Sequence, residues 1–361
     1  MKMLFFALSL TLGGGGAATD IPTPRRNIGE LHAQFVESIE DGLRRAALDE
    51  ITRTPPDSMR DVKWLFDLFM RFPEPAVRDA VMASIRLLDD RSAHLEPAFI
   101  EYIKLPESEA KVFGINGALR LRVPRALPLI TEIARRRFSV KSPGETPVLS
   151  DRNAWWAQYE ALSALAQWQG AKVLPLLRRK AGEAPSVARL MALNLWKESL
   201  PQIVSWANSG GSGAEKAHEA LTANVPIPDL RATRAEMLKI VRDRKSDSDL
   251  RHQLALKVGF CSTDEEIDAL LAEQEASPDP QTRLMLSAAL FASRNPRTIP
   301  WLKKVALENP DPKTRIGALL QLRLMLPPAE HRALVEQAAA RDPDPDNRQT
   351  AGEMLKAPPA P

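Results

Sequence analysis

One phrase recurs toward the C-terminal end of this chain and constrains its fold more than any other feature. It reads "EASPDPQTRLMLSAAL" at 275–290, "ENPDPKTRIGALLQL" at 308–322 and "ARDPDPDNRQTAGEML" at 340–355. The arginines of the phrase, Arg283, Arg315 and Arg348, stand 32 and 33 residues apart. The same step backwards reaches Arg251, and beyond it Glu219, Arg189, Gln158, Lys111, Arg78 and Arg45. An acid precedes eight of these ten positions by four residues: Asp41, Glu74, Glu107, Glu215, Asp247, Asp279, Asp311 and Asp344. Three residues after them the side chain is mostly small or apolar, as at Val81, Ala161, Leu254, Leu286 and Ala318. A fixed period of this length marks units that bury an apolar face only against their neighbours.

Each period holds two helical patterns. In "PQTRLMLSAALFA" the apolar residues keep one broad face. Asp279 can cap free N–H groups at its start, and Pro280 fits a first turn, where its missing N–H costs nothing. A second helix follows around Pro300, with Ile299, Leu302, Val305 and Ala306 on one face. Similar second helices read as "PRALPLITEIA" (124–134), "AKVLPLLRRKA" (171–181) and "LPQIVSWA" (200–207), and "TDEE" (263–266) reads as a capping box. Thirty prolines punctuate the chain, and no segment alternates like a strand. The expected fold is all-α. In the stack, the arginines should form a row beside the aspartates, an exposed charge ladder worth about 0–1 kcal/mol per link.

The stretches "DPKTRIGALLQL", "EPAVRDAVMASI" and "APSVARLMALNL" resemble the HEAT-repeat family, in particular the bacterial repeats of the phycobilisome-lyase type. The resemblance covers residues 37–357. It implies an α-solenoid, a right-handed superhelix of about ten helix pairs with the last incomplete and the arginine-bearing helices on the concave side. It implies no reaction, because the matched residues are structural and such arrays serve many functions.

The first residues, "MKMLFFALSLTLGGGGAATD", read as an export signal over 1–18, with Lys2 ahead of a short apolar core and cleavage after Ala18. A linker is expected at 19–36 and a disordered tail at 358–361. This places the mature chain in the periplasm or outside the cell. The apolar core is shorter than the roughly 20 residues a membrane span needs, and no other segment qualifies. Cys261 is the single cysteine, so neither an internal disulfide nor a cysteine-based zinc site can form.

The repeat breaks once. The step from Lys111 to Gln158 is 47 residues, which places an inserted loop at 139–152. Residues 111–180 hold 13 Lys and Arg against 4 Asp and Glu, while the whole chain is only +3. A concentrated field of this kind attracts anions. The candidate binding residues are Arg120, Arg122, Arg125, Arg135, Arg136, Arg137 and Lys141, with Trp155 and Trp156 after the loop, since arginine beside tryptophan suits planar or sugar-bearing anions. Arg178, Arg179 and Lys180 belong to the same basic segment. The partner expected is a protein or an anionic component of the cell envelope. The alternative is a nucleic-acid-acting enzyme resembling the HEAT-like alkylpurine DNA glycosylases, which use a basic surface with tryptophan and an acid. The export signal argues against it.

No reaction is expected from the remaining residues. The five histidines show no metal-ligand spacing, and His218-Glu219 is one pair where HEAT-like deoxyhypusine hydroxylases use four. "DPDPDNRQTAGE" (342–353) spaces acids like a calcium loop, but Pro343 and Pro345 intrude and the turn glycine is absent. Cys261 ends an apolar helix and reads as packed. No nucleophile elbow, phosphate loop or dinucleotide motif occurs, so no catalytic residue, metal or cofactor is expected.

Overall fold

The structure, a computed structural model, describes residues 26–145 and 148–356. The expected export signal and C-terminal tail lie outside the described residues. The chain divides into two compact units, residues 1–98 and 99–361.

The first unit holds α1 (Ile28–Glu37), α2 (Asp41–Ile51), α3 (Met59–Arg71) and α4 (Pro75–Arg86). Helix α1 packs on α2 and α3, and α4 closes the group against both. Among the described residues the first helix begins at Ile28, inside the stretch expected as a linker. The reason is local: Asn27 accepts the Glu30 N–H at 3.0 Å, and Ile28, Leu31 and Phe35 are buried at helical spacing. The repeat position in α2 also falls one residue earlier than the spacing predicts. Arg45 is exposed, while the Arg44 guanidinium lies 4.4 Å over the Phe35 ring.

The second unit continues from α5 (Glu96–Lys104) through α6 (Ser108–Arg120), α7 (Leu127–Arg135), α8 (Leu149–Gln169), α9 (Leu174–Glu183), α10 (Val187–Asn194), α11 (Trp196–Ser209) and α12 (Ser212–Leu221). Then come α13 (Ile227–Arg242), α14 (Ser248–Cys261), α15 (Asp264–Ala276), α16 (Pro280–Ser293), α17 (Ile299–Glu308), α18 (Pro312–Arg323), α19 (Pro328–Arg341) and α20 (Pro345–Lys356). Odd-numbered helices form one layer and even-numbered helices the other. Each odd helix packs on the even helix that follows, as α13 does on α14 and α19 on α20. Within the even layer α6 packs on α8, α10 on α12 and α14 on α16. The fold is an all-α solenoid. Among the described residues the helices of the second unit pair odd to even, and the last pair, α19 with α20, is complete.

The Asp-Pro phrase is a capping device. The side chains of Asp247, Asp279, Asp311 and Asp344 accept the N–H of Leu250, Thr282, Thr314 and Asn347 at 2.9, 2.9, 2.9 and 3.0 Å. Each cap satisfies one of the free donors of a helix start and contributes about 1 kcal/mol. The capping box at Thr263 and Glu266 forms as expected. Pro201 does not start its helix: α11 begins at Trp196, and Pro201 lies inside it. Its missing N–H removes one bond to the first turn of the helix, where Trp196 is anchored by burial and by a 2.8 Å bond from Nε1 to Thr233.

Among the described residues the arginines of the repeat position do not pair with these capping aspartates, and Asp279 takes Arg244 while it caps α16. At five of the ten repeat positions the residue turns the other way, to the carbonyls that end the preceding odd helix, whereas Arg283 is exposed and Arg189 pairs with Glu219 of the next repeat. Arg251 donates to Val241, Arg315 to Asn309 and Pro310, Arg348 to Asp342 and Pro343, Gln158 to Arg136, and Lys111 to Leu105 and Pro106. Carbonyls at a helix C-terminus lack intrahelical donors and carry partial negative charge, which a cation there satisfies. Arg251 and Arg315 are buried in doing so, at 1% and 3% exposure. Arg315 also grips Asp342 with two bonds, of 2.8 and 2.6 Å.

Candidate functional site

The inserted segment begins at the C-terminus of α7 and ends earlier than expected. Helix α8 starts at Leu149, so residues 149–152 are helical. The packing that shapes this region comes from three side chains. Phe138 and Trp155 are buried with ring centroids 5.7 Å apart, and Tyr159 stacks on Trp155 at 4.8 Å. Burial pushes the Tyr159 phenol up to about 12. Lys180 is 1% exposed and donates to the Arg136 carbonyl and to Glu183. It follows Leu177 by three residues and precedes Ala181, so the helical period directs it to the core face of α9.

The nine candidate residues do not converge. Arg120 ends α6, Arg122 sits just after it with a positive φ of 49°, and Arg125 lies in the 3-10 turn that leads into α7. Arg135, Arg136 and Arg137 lie at the other end of α7, about 15 Å away along the helix at 1.5 Å per residue. All six are exposed, as is Lys141. Arg136 is bound to Glu132 at 3.0 Å. Burial, together with the nearby Arg136 charge, holds the Lys111 amine below its ordinary value. Trp155 is a core residue, not a surface plate, and its indole cannot stack on a base as the glycosylase-like alternative requires. Trp156 is 46% exposed, edge-on to Trp155 at 5.0 Å.

The odd layer instead holds a groove between α7 and α9. It has a volume of about 500 Å³ and is lined by Thr131, Arg135, Gln169, Lys172, Leu176 and Arg179, among others. A hollow along α7 shares Thr131, Arg135 and Gln169 with it. Local sequence explains the arrangement. Ile130, Ile133 and Ala134 turn into the core, which leaves Thr131 and Arg135, four residues apart, on the outer face of α7. On α9 the core takes Leu174, Leu177, Lys180 and Ala181, which leaves Leu176 and Arg179 outward, with Lys172 in the 3-10 turn just before the helix. Arg135, Lys172 and Arg179 make no ion pair among the described residues. Glu132 borders the hollow and is taken up by Arg136. The groove is therefore a net positive hollow with two neutral donors, Thr131 and Gln169. Arg135 is the one residue it shares with the candidates named from sequence. Lys172 and Arg179 were not among them, although their spacing from Leu176 was legible.

The other sequence candidates serve the fold. Asp342 and Asp344 of the acid-rich stretch are consumed by Arg315 and by the α20 cap. The Arg315 guanidinium pushes the Asp342 carboxyl down to about 2. Cys261 is buried, and burial pushes its thiol up to about 11. His218 is exposed on α12.

Residues 267–356, which span α15 to α20, match the family model of HEAT repeats. This part of the chain carries HEAT repeats. The match is to the HEAT repeat as such and carries no phycobilisome-lyase subtype. Among curated proteins, none matches the chain. HEAT repeats suggest a protein-interaction scaffold, and no helix among the described residues is long and apolar enough to cross a membrane.

Proposed function

We propose that this chain is an exported scaffold of the cell envelope that holds an anionic partner in the groove between α7 and α9. The observation that carries the reading is the convergence of Arg135, Lys172 and Arg179 on one hollow, with no carboxylate left to neutralise them among the described residues. Two arginines facing each other across a groove suit carboxylate or phosphate groups, because each guanidinium offers a fork of donors. The setting rests on the first 18 residues, whose charged start, apolar core and small-residue end have the order of an export signal.

The test has two parts. The protein is recovered from the envelope fraction and its N-terminus is sequenced. A start at Thr19 is expected; an intact Met1 on protein confined to the cytoplasm overturns the setting. Envelope extract is then passed over the wild-type chain and over Arg135→Glu/Arg179→Glu. The reversal is expected to lose the anionic partner, and equal recovery by both overturns the groove.

A further inference from the structure

The odd layer shows how a cation on one helix is satisfied by the next. Arg234 of α13 pairs with Glu266 of α15, Arg242 with Glu273, and Lys303 of α17 with Glu330 of α19. Arg297, in the 3-10 turn before α17, is held by both Asp264 and Asp268 of α15. Lys172 is the counterpart of Arg297. Each lies in a 3-10 turn, two residues before its helix and three before the proline of that helix. The two aspartates have no counterpart. Asp264 and Asp268 stand six and two residues before the buried Leu270, whereas Pro124 and Pro128 stand six and two residues before the buried Ile130 of α7. The groove between α7 and α9 therefore has the cation of this contact without its carboxylates.

The charge of the groove is divided between its ends. Lys172 lies at one end; Arg179 and Arg135, the last residue of α7, lie at the other. From 172 to 179 the chain rises about 11 Å, at about 2.0 Å per residue in the 3-10 turn and about 1.5 Å in the helix. Between the ends the wall is Leu165, Val173, Pro175 and Leu176, with Gln169 among them. The Gln169 carboxamide makes no bond to the protein among the described residues. It carries both a donor and an acceptor, as a peptide unit does, whereas a run of phosphates offers acceptors only. Glu132, which borders the adjoining hollow, is bound to Arg136. Neighbouring helices of a stack lie about 8–10 Å apart, so the space between two of them is narrower than a helix with its side chains, about 10–12 Å across. An extended chain fits instead, and at about 3.3 Å per residue it covers the distance between the two ends in about three steps.

We infer, on the reading that this groove is an anion site, that its occupant is an extended peptide segment of a partner protein with two aspartates or glutamates three positions apart and an apolar residue between them. One carboxylate meets Lys172, in the role that Asp264 and Asp268 fill for Arg297. The other meets Arg135 and Arg179, whose guanidinium forks suit a carboxylate. The apolar residue lies against Pro175 and Leu176.

The test uses the full chain at low salt and two short fluorescein-labelled peptides of one composition and one net charge, read by anisotropy. In the first, two glutamates flank Leu-Ser; in the second, the glutamates are adjacent. The spaced peptide is expected to bind at least about fivefold more tightly. Lys172→Gln should bring the two peptides within about twofold of each other and leave the adjacent one, which needs only the arginine end, nearly unchanged. Arg135→Glu/Arg179→Glu should weaken both by at least about tenfold. The substituted residues are exposed, so the melting curves should match. Labelled polyglutamate in the same assay reports whether the groove takes anions at all. If the arginine reversal loses polyglutamate but the wild-type chain binds both peptides equally, the spacing is overturned and the anion site stands. If wild type and reversal bind polyglutamate alike, both fall. A preference that survives Lys172→Gln, or no binding of either peptide, overturns the assignment of the occupant. So does tighter binding of polyphosphate of matched charge, which would give the groove to phosphates.

Discussion

Replacing Arg315 by methionine should be among the most damaging single changes in the second unit. The guanidinium makes four bonds: two to the Asp342 carboxylate at 2.8 and 2.6 Å, and two to the carbonyls of Asn309 and Pro310 at 2.6 and 3.2 Å. Arg315 and Asp342 are 3% and 7% exposed. Removing one partner of a buried pair leaves an uncompensated charge and costs about 3–5 kcal/mol. Methionine preserves most of the apolar stem, so the loss is electrostatic rather than a cavity. Asp342→Asn in the same chain removes the stranded charge and should restore a large part of it. Acid titration gives an independent check. The Asp342 pKa is about 2 in the folded chain against an ordinary 3.8. Its stabilisation is therefore present above pH 4 and fades as pH falls toward 2, by about 2 kcal/mol. The Arg315→Met chain should lack that step. Repeat arrays can unfold piecemeal, so hydrogen exchange over α17–α20 should accompany urea unfolding. A cost below about 1 kcal/mol, or a double variant worse than the sum of its singles, would refute the reasoning.

Three further outcomes follow from the geometry. Lys257 is buried with its amine pushed down to about 8, so stability should rise by up to about 3 kcal/mol between pH 8 and pH 10.5, and Lys257→Met should flatten that dependence in urea titrations. Gly259→Ala should separate α14 from α16 and cost about 1–3 kcal/mol by overpacking, measured by chemical denaturation. Cys261, with its thiol pushed up to about 11, should resist iodoacetamide at neutral pH until the chain unfolds, as mass spectrometry can follow.

The fold was legible because its signals are local. Asp-Pro at a fixed period specifies where helices start, and the caps at Asp247, Asp279, Asp311 and Asp344 form as that spacing predicts. The role of the arginines was not legible. A donor four residues after an aspartate can pair with it or reach back to the carbonyls of the previous helix, and only the turn geometry decides. Arg315 also depends on Asp342, 27 residues on. The scatter of the candidate residues was not legible for a related reason: a charge count over 111–180 ignores direction. Adjacent residues on a helix point about 100° apart, which sends Trp155 inward and Trp156 outward, and buries Lys180 beside the exposed Arg179. The residues lining the groove, Thr131 with Arg135 and Lys172 with Arg179, come from two helices whose approach no spacing within one repeat reveals.

The proposed function requires the groove between α7 and α9 to bind an anionic partner through Arg135, Lys172 and Arg179. The most direct measurement is equilibrium binding of labelled polyglutamate to three chains across a salt series: wild type, Arg135→Glu/Arg179→Glu, and Arg53→Glu/Arg86→Glu. The last pair changes the same charge at exposed arginines of the first unit. Screening shortens the reach of exposed charge to about 8 Å at physiological ionic strength. Wild-type affinity should therefore fall at least about tenfold between about 0.05 M and about 0.3 M salt. The groove reversal should bind at least about tenfold more weakly at low salt and lose most of that salt dependence, while the first-unit reversal should follow the wild-type curve. Equal weakening by the two reversals would mean that only net charge matters, and would contradict the account.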